Sequence, residues 1–151
     1  MHLLFVCTGN TCRSPLAEVI AQRIVQERGL SFITVGSAGT GAWPDSPASD
    51  GSLLVALEHG LDLSAHRARP LTAELVRAAD VVLTMGPHHR ERAEALGGTG
   101  RSWLLTEFSG AEARAISDPF GGDLTVYRAT FDELEQEVRG VIDRIAGERP
   151  A

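Results

Sequence analysis

The strongest constraint on this chain lies in its first thirty residues. Residues 2–6, HLLFV, form a short apolar run that reads as a strand buried on both faces. A small polar loop, residues 7–14, follows at once. Ser14 then suits a helix N-cap and Pro15 the first helical turn. Leu16, Val19, Ile20, Ile24 and Val25 recur at helical spacing up to Gly29, a natural stop. Strand, tight loop and helix in that order place the loop beyond the carboxyl end of a strand, where sheets of this kind bind ligands.

The rest of the chain continues the alternation. Residues 32–35 read as a second strand that ends in the turn Gly36-Ser37-Ala38-Gly39, followed by a loop through Trp43, Pro44 and Pro47. Leu53, Leu54 and Leu57 mark a helix that stops near Gly60, and Thr72 caps a short helix through Arg77. Residues 81–84 and 102–105 read as strands, 87–96 as a helix between them, 107–122 as loop, and 123–145 as a long last helix. Strands alternating with helices predict one α/β domain, residues 1–151, with a parallel sheet covered by helices on both faces.

Bulk properties exclude several classes. The 151 residues fit one domain, and 43% hydrophobic with 23% charged residues is a globular balance. A net charge of −6 argues against nucleic acid as a partner. No apolar run approaches the ~20 residues of a membrane span. The first residues lack the marks of a signal peptide, which predicts a cytoplasmic protein. The two cysteines, Cys7 and Cys12, lie five residues apart. So close a pair staples little chain, and in a reducing compartment it points to catalysis or metal binding.

Residues 7–14, CTGNTCRS, follow the pattern of Cys, five residues, Arg, then Ser or Thr. A loop of this length can turn successive N–H groups inward as an anion nest, formed here by Thr8, Gly9, Asn10, Thr11, Cys12, Arg13 and Ser14. The following helix adds the positive end of its dipole. Gly9 permits unusual backbone angles and Asn10 tolerates them. Arg13 supplies a planar fork for two phosphate oxygens. Cys7, at the base of this field, is expected to be a thiolate at neutral pH that attacks phosphorus and forms a phosphocysteine, without a metal or other cofactor. The bland readings are an inert buried thiol for Cys7 and a surface arginine for Arg13.

A leaving group needs a proton. Asp118, in Asp118-Pro119-Phe120-Gly121-Gly122, is the best candidate for that general acid. It is stiffened by Pro119 and afterwards free to activate water. A turn aspartate is the bland alternative.

Together these residues resemble the low-molecular-weight protein-tyrosine phosphatase family. The resemblance is carried by residues 3–15, by Ser37-Ala38-Gly39, by residues 62–71 around His66, and by the late Asp-Pro. It implies a four-stranded parallel sheet with helices on both sides. It also implies Cys7 as nucleophile, Arg13 as phosphate clamp, Asp118 as general acid, and Asn10, Ser14, Ser37 and His66 as a supporting polar network. Thr11, the Asp118–Gly122 segment with Phe120 beside the acid, Tyr127 and Asp132-Glu133-Leu134 resemble the bacterial protein-arginine phosphatase branch. The expected partners are then phosphorylated proteins, with phosphate or vanadate at the loop, and the expected state is a monomer. The resemblance further implies a reversible Cys7–Cys12 disulfide, Cys12 being the redox partner. Phosphotyrosine remains the alternative substrate, and Thr11 then merely fits a tight loop.

Three other readings are weaker. An arsenate reductase relays electrons through further cysteines that this chain lacks. A non-catalytic phosphate-binding module has no need of Cys7, Arg13 and Asp118 together. A metal site at His88 and His89 is disfavoured because neighbouring helical residues face different ways, and a solvated helix start is expected there instead.

Overall fold

The computed structural model describes residues 1–147. The expected α/β domain is observed there, and residues 148–151 of the expected range lie outside the described residues. The strands are β1 His2–Cys7, β2 Thr34–Gly39, β3 Val81–Thr84 and β4 Ser102–Leu104. They form one parallel sheet in the order β2-β1-β3-β4. The helices are α1 Arg13–Glu27, α2 Asp50–Glu58, α3 Ala73–Ala78, α4 Pro87–Ala93, α5 Leu105–Ser109 and α6 Leu124–Gly147. No helix of the described residues is long and apolar enough to cross a membrane.

Central strands bury both faces, which is why residues 3–6 of β1 and 81–83 of β3 are continuously apolar. Leu3 and Phe5 of β1 and Leu83 of β3 pack into the larger core with α1, α2, α5 and α6. Leu4, Val6 and Val82 point the other way, against Val76 of α3 and Ala93 of α4. Strand periodicity thus divides the core in two and puts helices on both faces. Helix α6 contributes a stripe, Phe131, Leu134, Val138, Val141, Ile142 and Ile145, at helical spacing.

Several boundaries differ from those expected. Phe32 and Ile33 precede β2 and lie in the turn closed by Ile33 N–H on Leu30 O. The segment read as a turn, Ser37-Ala38-Gly39, is the strand itself, paired with β1 through Cys7↔Gly39. Its small residues permit close approach: a Cβ on Gly39 would stand 2.4 Å from Thr8 O and 2.9 Å from Asn10 N. Ser14 is not the N-cap of α1. The helix begins at Arg13 with Cys12 before it, and no side chain caps it. Thr72 caps α3 as expected, its Oγ1 accepting from Leu75 N–H. Helix α4 ends at Ala93 and gives way to a wide π-helical turn, Glu94–Gly98, with Gly97 at φ 103°. Leu105 opens α5 rather than closing β4, so part of the expected loop is helical.

Phe5 is fully buried and anchors the larger core. Phe5→Ala is expected to lower the unfolding free energy by about 3–5 kcal/mol. Urea titration checks this; a loss below about 1 kcal/mol would contradict this packing.

Candidate active site

The loop from Cys7 to Arg13 leaves β1 and enters α1, and nearly all of its carbonyl groups are tied to surrounding elements. Cys7 O accepts from Thr40 N–H, Thr8 O from Gly41 N–H, Thr11 O from Ser49 N–H and Cys12 O from Leu16 N–H. Asn10 O lies 2.7 Å from His66 Nε2. In a trans peptide the carbonyl and the next N–H point in opposite directions, and every peptide of this loop is trans. The N–H groups of Thr8, Gly9, Thr11, Cys12 and Arg13 are thereby turned into the loop's own concavity. Asn10 holds the bend at φ 56°. Gly9, expected to supply that freedom, is not in the left-handed region, and the glycine the loop needs is Gly39.

Asn10 is fully buried and uses all its polar atoms. The backbone N–H of Arg69 donates to Asn10 Oδ1 at 3.0 Å, which fixes the amide's orientation. Nδ2 therefore donates, to Ser14 Oγ at 2.7 Å and to Ser37 Oγ at 3.0 Å. Both hydroxyls, having accepted, pass their own protons outward: Ser37 to Glu18 Oε1 at 2.5 Å, Ser14 to Cys7 Sγ at 2.9 Å. The backbone N–H of Asn10 also donates to that sulfur, at 3.3 Å. The network is satisfied when Cys7 Sγ acts as an acceptor, as a thiolate does.

Cys7 is only 2% exposed. Burial is the largest influence on its ionisation and pushes the thiol up. The hydroxyl and N–H of Ser14, the charge of Arg13 and the N–H of Asn10 pull it down. This runs against the expectation that Cys7 is a thiolate at neutral pH in the free site, because that expectation leaves out desolvation of the buried sulfur. The donors work against desolvation, and burial outweighs them in the free site. The dipole of α1 acts on their side.

One cleft of about 210 Å³ is lined by Cys7, Thr8, Gly9, Thr11, Cys12, Arg13, Asp118 and Phe120. Most of the residues expected at the phosphate site line it; Asn10 and Ser14, also expected there, are instead fully buried behind the loop and bonded to each other. Arg13 is buried, not a surface side chain. It donates from Nη1 to Ile116 O at 2.8 Å and stands 3.7 Å from Asp118. Its Nε is buried with no hydrogen-bond partner among the described residues, an unmet donor beside the cleft. Asp118 is half exposed on the rim, its Oδ1 accepting from Phe120 N–H at 3.1 Å. Phe120 is 73% exposed over the cleft.

Cys12 is buried, with Sγ 3.2 Å from Ser49 Oγ and 3.5 Å from Tyr127 Oη. Burial and the Cys12 sulfur push the Tyr127 phenol up to about 12, so it stays protonated. Both cysteines are free thiols.

Sequence reasoning missed Glu18, Arg69 and His89. Glu18 sits one turn after Ser14 and one turn before Gln22, whose Nε2 donates to it, so in sequence it reads as an ordinary carboxylate on a polar stripe of the helix. Arg69 N–H reaches Asn10 from 59 residues away, with no local mark. His89 was read as part of a solvated helix start; only His88 is exposed, and His89 is fully buried with Nε2 2.8 Å from Thr8 Oγ1. Burial first, then the charges of His88 and Arg13, bring the His89 imidazole down to about 3.

Two outcomes follow. Ser14→Ala removes a donor to the sulfur, so an ultraviolet thiolate titration should find Cys7 pushed further up; an unchanged titration would contradict the network. Below pH ~6.5 the unfolded chain binds a proton at His89 that the folded chain refuses, so stability falls as pH drops from ~6.5 toward ~3. Urea unfolding at pH ~7.5 and ~4.5 should show His89→Gln losing about 2 kcal/mol less than the parent. Equal losses would contradict the neutral buried ring.

Comparison with known proteins matches this geometry. The family model described as low molecular weight phosphotyrosine protein phosphatase matches residues 2–151. A protein-arginine-phosphatase of Bacillus subtilis is 36% identical over 151 residues, covering 99% of each chain. A low molecular weight protein-tyrosine-phosphatase, PtpB of Staphylococcus haemolyticus, is 38% identical over 139 residues, 89% of this chain and 92% of that protein. A solved structure of the YwlE arginine phosphatase, a cysteine-to-serine mutant with a phosphorylated active site serine, superimposes with a TM-score of 0.93 at 36% identity. That match covers 99% of this chain and 98% of the other. Fold, loop and sequence agree, and the chain belongs to the low molecular weight phosphotyrosine protein phosphatase family.

Proposed function

We propose that this protein hydrolyses phosphoarginine on proteins through a phosphocysteine intermediate. The observation that carries the phosphatase chemistry is the convergence of Cys7, Arg13 and Asp118 on one cleft, with Arg13 Nε buried beside it and unpaired among the described residues.

In the first step Cys7 Sγ, as thiolate, attacks phosphorus while the loop N–H groups and Arg13 hold the equatorial oxygens. The bond from phosphorus to the leaving group breaks, and Asp118 in its acid form gives that atom its proton. In the second step the Asp118 carboxylate takes a proton from water. The resulting hydroxide displaces sulfur, releasing phosphate and restoring the thiolate. Ser14 O–H, already 2.9 Å from Cys7 Sγ, eases the departure. Asn10, Ser37 and His66 keep the loop in shape, and no cofactor takes part in either step.

Arginine is favoured over tyrosine by two things. Thr11 lines the cleft with a hydroxyl where a bulkier aliphatic group would fill space, and Asp118 on the rim can pair with a cationic leaving group. Relatives named protein-arginine-phosphatase, one of them from Geobacillus stearothermophilus at 38% identity over 150 residues, support it. Phosphotyrosine is the second reading, favoured by the equally similar protein-tyrosine-phosphatase and by the exposed Phe120 ring beside the cleft.

The proposal extends to a single-domain monomer acting in the cytoplasm, with Cys12 as redox partner. Peroxide would convert Cys7 to a sulfenic acid with loss of water. The Cys12 thiol would then displace hydroxide, giving a Cys7–Cys12 disulfide and a second water. Mass spectrometry after mild peroxide should find that bridge; sulfinic Cys7 alone would contradict it.

Cys7→Ser should abolish turnover of p-nitrophenyl phosphate with the fold intact. Arg13→Ala should lose both oxyanion binding and rate. Asp118→Asn should slow poor leaving groups most. The deciding experiment is kcat/KM on phosphoarginine and phosphotyrosine side by side, with Thr11→Ile as a third arm. Phosphoarginine should be preferred, and Thr11→Ile should gain tyrosine activity. A parent enzyme preferring phosphotyrosine would overturn the arginine reading.

A further inference from the structure

Thr8 stands where the cleft meets α4, and its side chain is held in a way the two chemical steps do not use. Its methyl Cγ2 lies toward Gly41, where a Cβ would meet it at 3.8 Å, and its Oγ1 lies 2.8 Å from His89 Nε2. With one branch on each neighbour, χ1 is set and only the hydroxyl proton turns.

The hydrogen-bond direction follows from the other ring nitrogen. His89 Nδ1 is buried with no partner among the described residues. An orphaned buried N–H is rarer than an under-used acceptor, so Nδ1 carries the lone pair and Nε2 the proton. Nε2–H therefore donates to Thr8 Oγ1. The proton of Thr8 cannot also point at the ring, and it turns to the side where Thr8 lines the cleft beside Cys7 and Arg13.

We infer that the Thr8 hydroxyl is a side-chain donor to a phosphoryl oxygen of the bound substrate, and that His89 is the positioning residue that orients it. This deepens the phosphatase reading and rests on it. The backbone nest is common to any loop of this shape. The Thr8–His89 pair adds a donor that depends on two side chains of this chain. A threonine hydroxyl alone would spend part of its time turned away from the cleft; the imidazole N–H removes that alternative by occupying the oxygen's lone pair.

Inorganic phosphate and vanadate are the probes, used as competitive inhibitors of p-nitrophenyl phosphate turnover. Thr8→Val should raise both inhibition constants about tenfold, the scale of one hydrogen bond to a charged group. Thr8→Ser should stay within about twofold of the parent. His89→Phe should weaken binding by a similar factor, His89→Gln should restore it by offering an N–H, and Thr8→Val/His89→Phe should be no worse than Thr8→Val alone. Should His89→Phe fail to fold, the threonine variants and nitrogen-15 NMR of the parent His89 ring decide. A proton on Nε2 supports the inference, and a proton on Nδ1 overturns it. Vanadate binding by Thr8→Val as tight as the parent's, or losses that add in the double variant, would also overturn it. A parent enzyme that binds neither oxyanion would sink the phosphatase reading itself.

Discussion

Asn10 places a side-chain amide at the centre of the loop to which it belongs, and the site depends on how that amide is held. Its oxygen is claimed by the backbone N–H of Arg69, so its nitrogen must donate, and both serines it reaches must pass their protons onward. One proton arrives at Glu18, the other at Cys7. A single backbone N–H, beside the edge where Gly39 bridges to Pro70, thereby sets the polarity of hydrogen bonds as far as the reactive sulfur. Each buried donor or acceptor left unpaired costs about 1–3 kcal/mol. The network therefore resists any loop shape that breaks one of its members.

The same enclosure creates the site's central conflict. A sulfur removed from water is pushed toward its neutral form, yet the chemistry needs the anion. The fold answers with directional donors: the Ser14 hydroxyl, the Asn10 N–H, the Arg13 charge and the start of α1. Of these, Arg13 also lines the cleft, and the start of α1 turns its positive end toward it. The energy that shapes the loop thus also prepares the oxyanion site. Glycine and serine in β2 belong to this arrangement, because only a strand of small residues brings Thr40 and Gly41 close enough to hold the loop's carbonyl groups.

Much of this was legible in the sequence. The strand, loop and helix at the N-terminus carried the fold class, because an unbroken apolar run must be covered on both faces. The spacing of Cys7 and Arg13 carried the cleft. Hydropathy misled at β2, where Phe32 and Ile33 look more strand-like than Gly36-Ser37-Ala38-Gly39. There, close packing against the loop and Arg69 outweighs intrinsic propensity. Ser14 looked like a cap because serine usually caps, but its hydroxyl serves the sulfur seven residues back. The partners Arg69 and His89 stayed hidden because they join the loop through 59 and 81 residues of chain. Only the parallel sheet brings such distant segments to one end.

The central claim is that Cys7 carries the phosphoryl group. Rapid acid quench of Asp118→Asn during turnover, followed by peptide mass spectrometry, tests it most directly. The account predicts phosphate on the peptide holding residues 7–13, attached through sulfur at Cys7 and absent from Cys7→Ser under the same treatment. Turnover with no phosphorus–sulfur adduct, or with the phosphoryl group on another side chain, would contradict it.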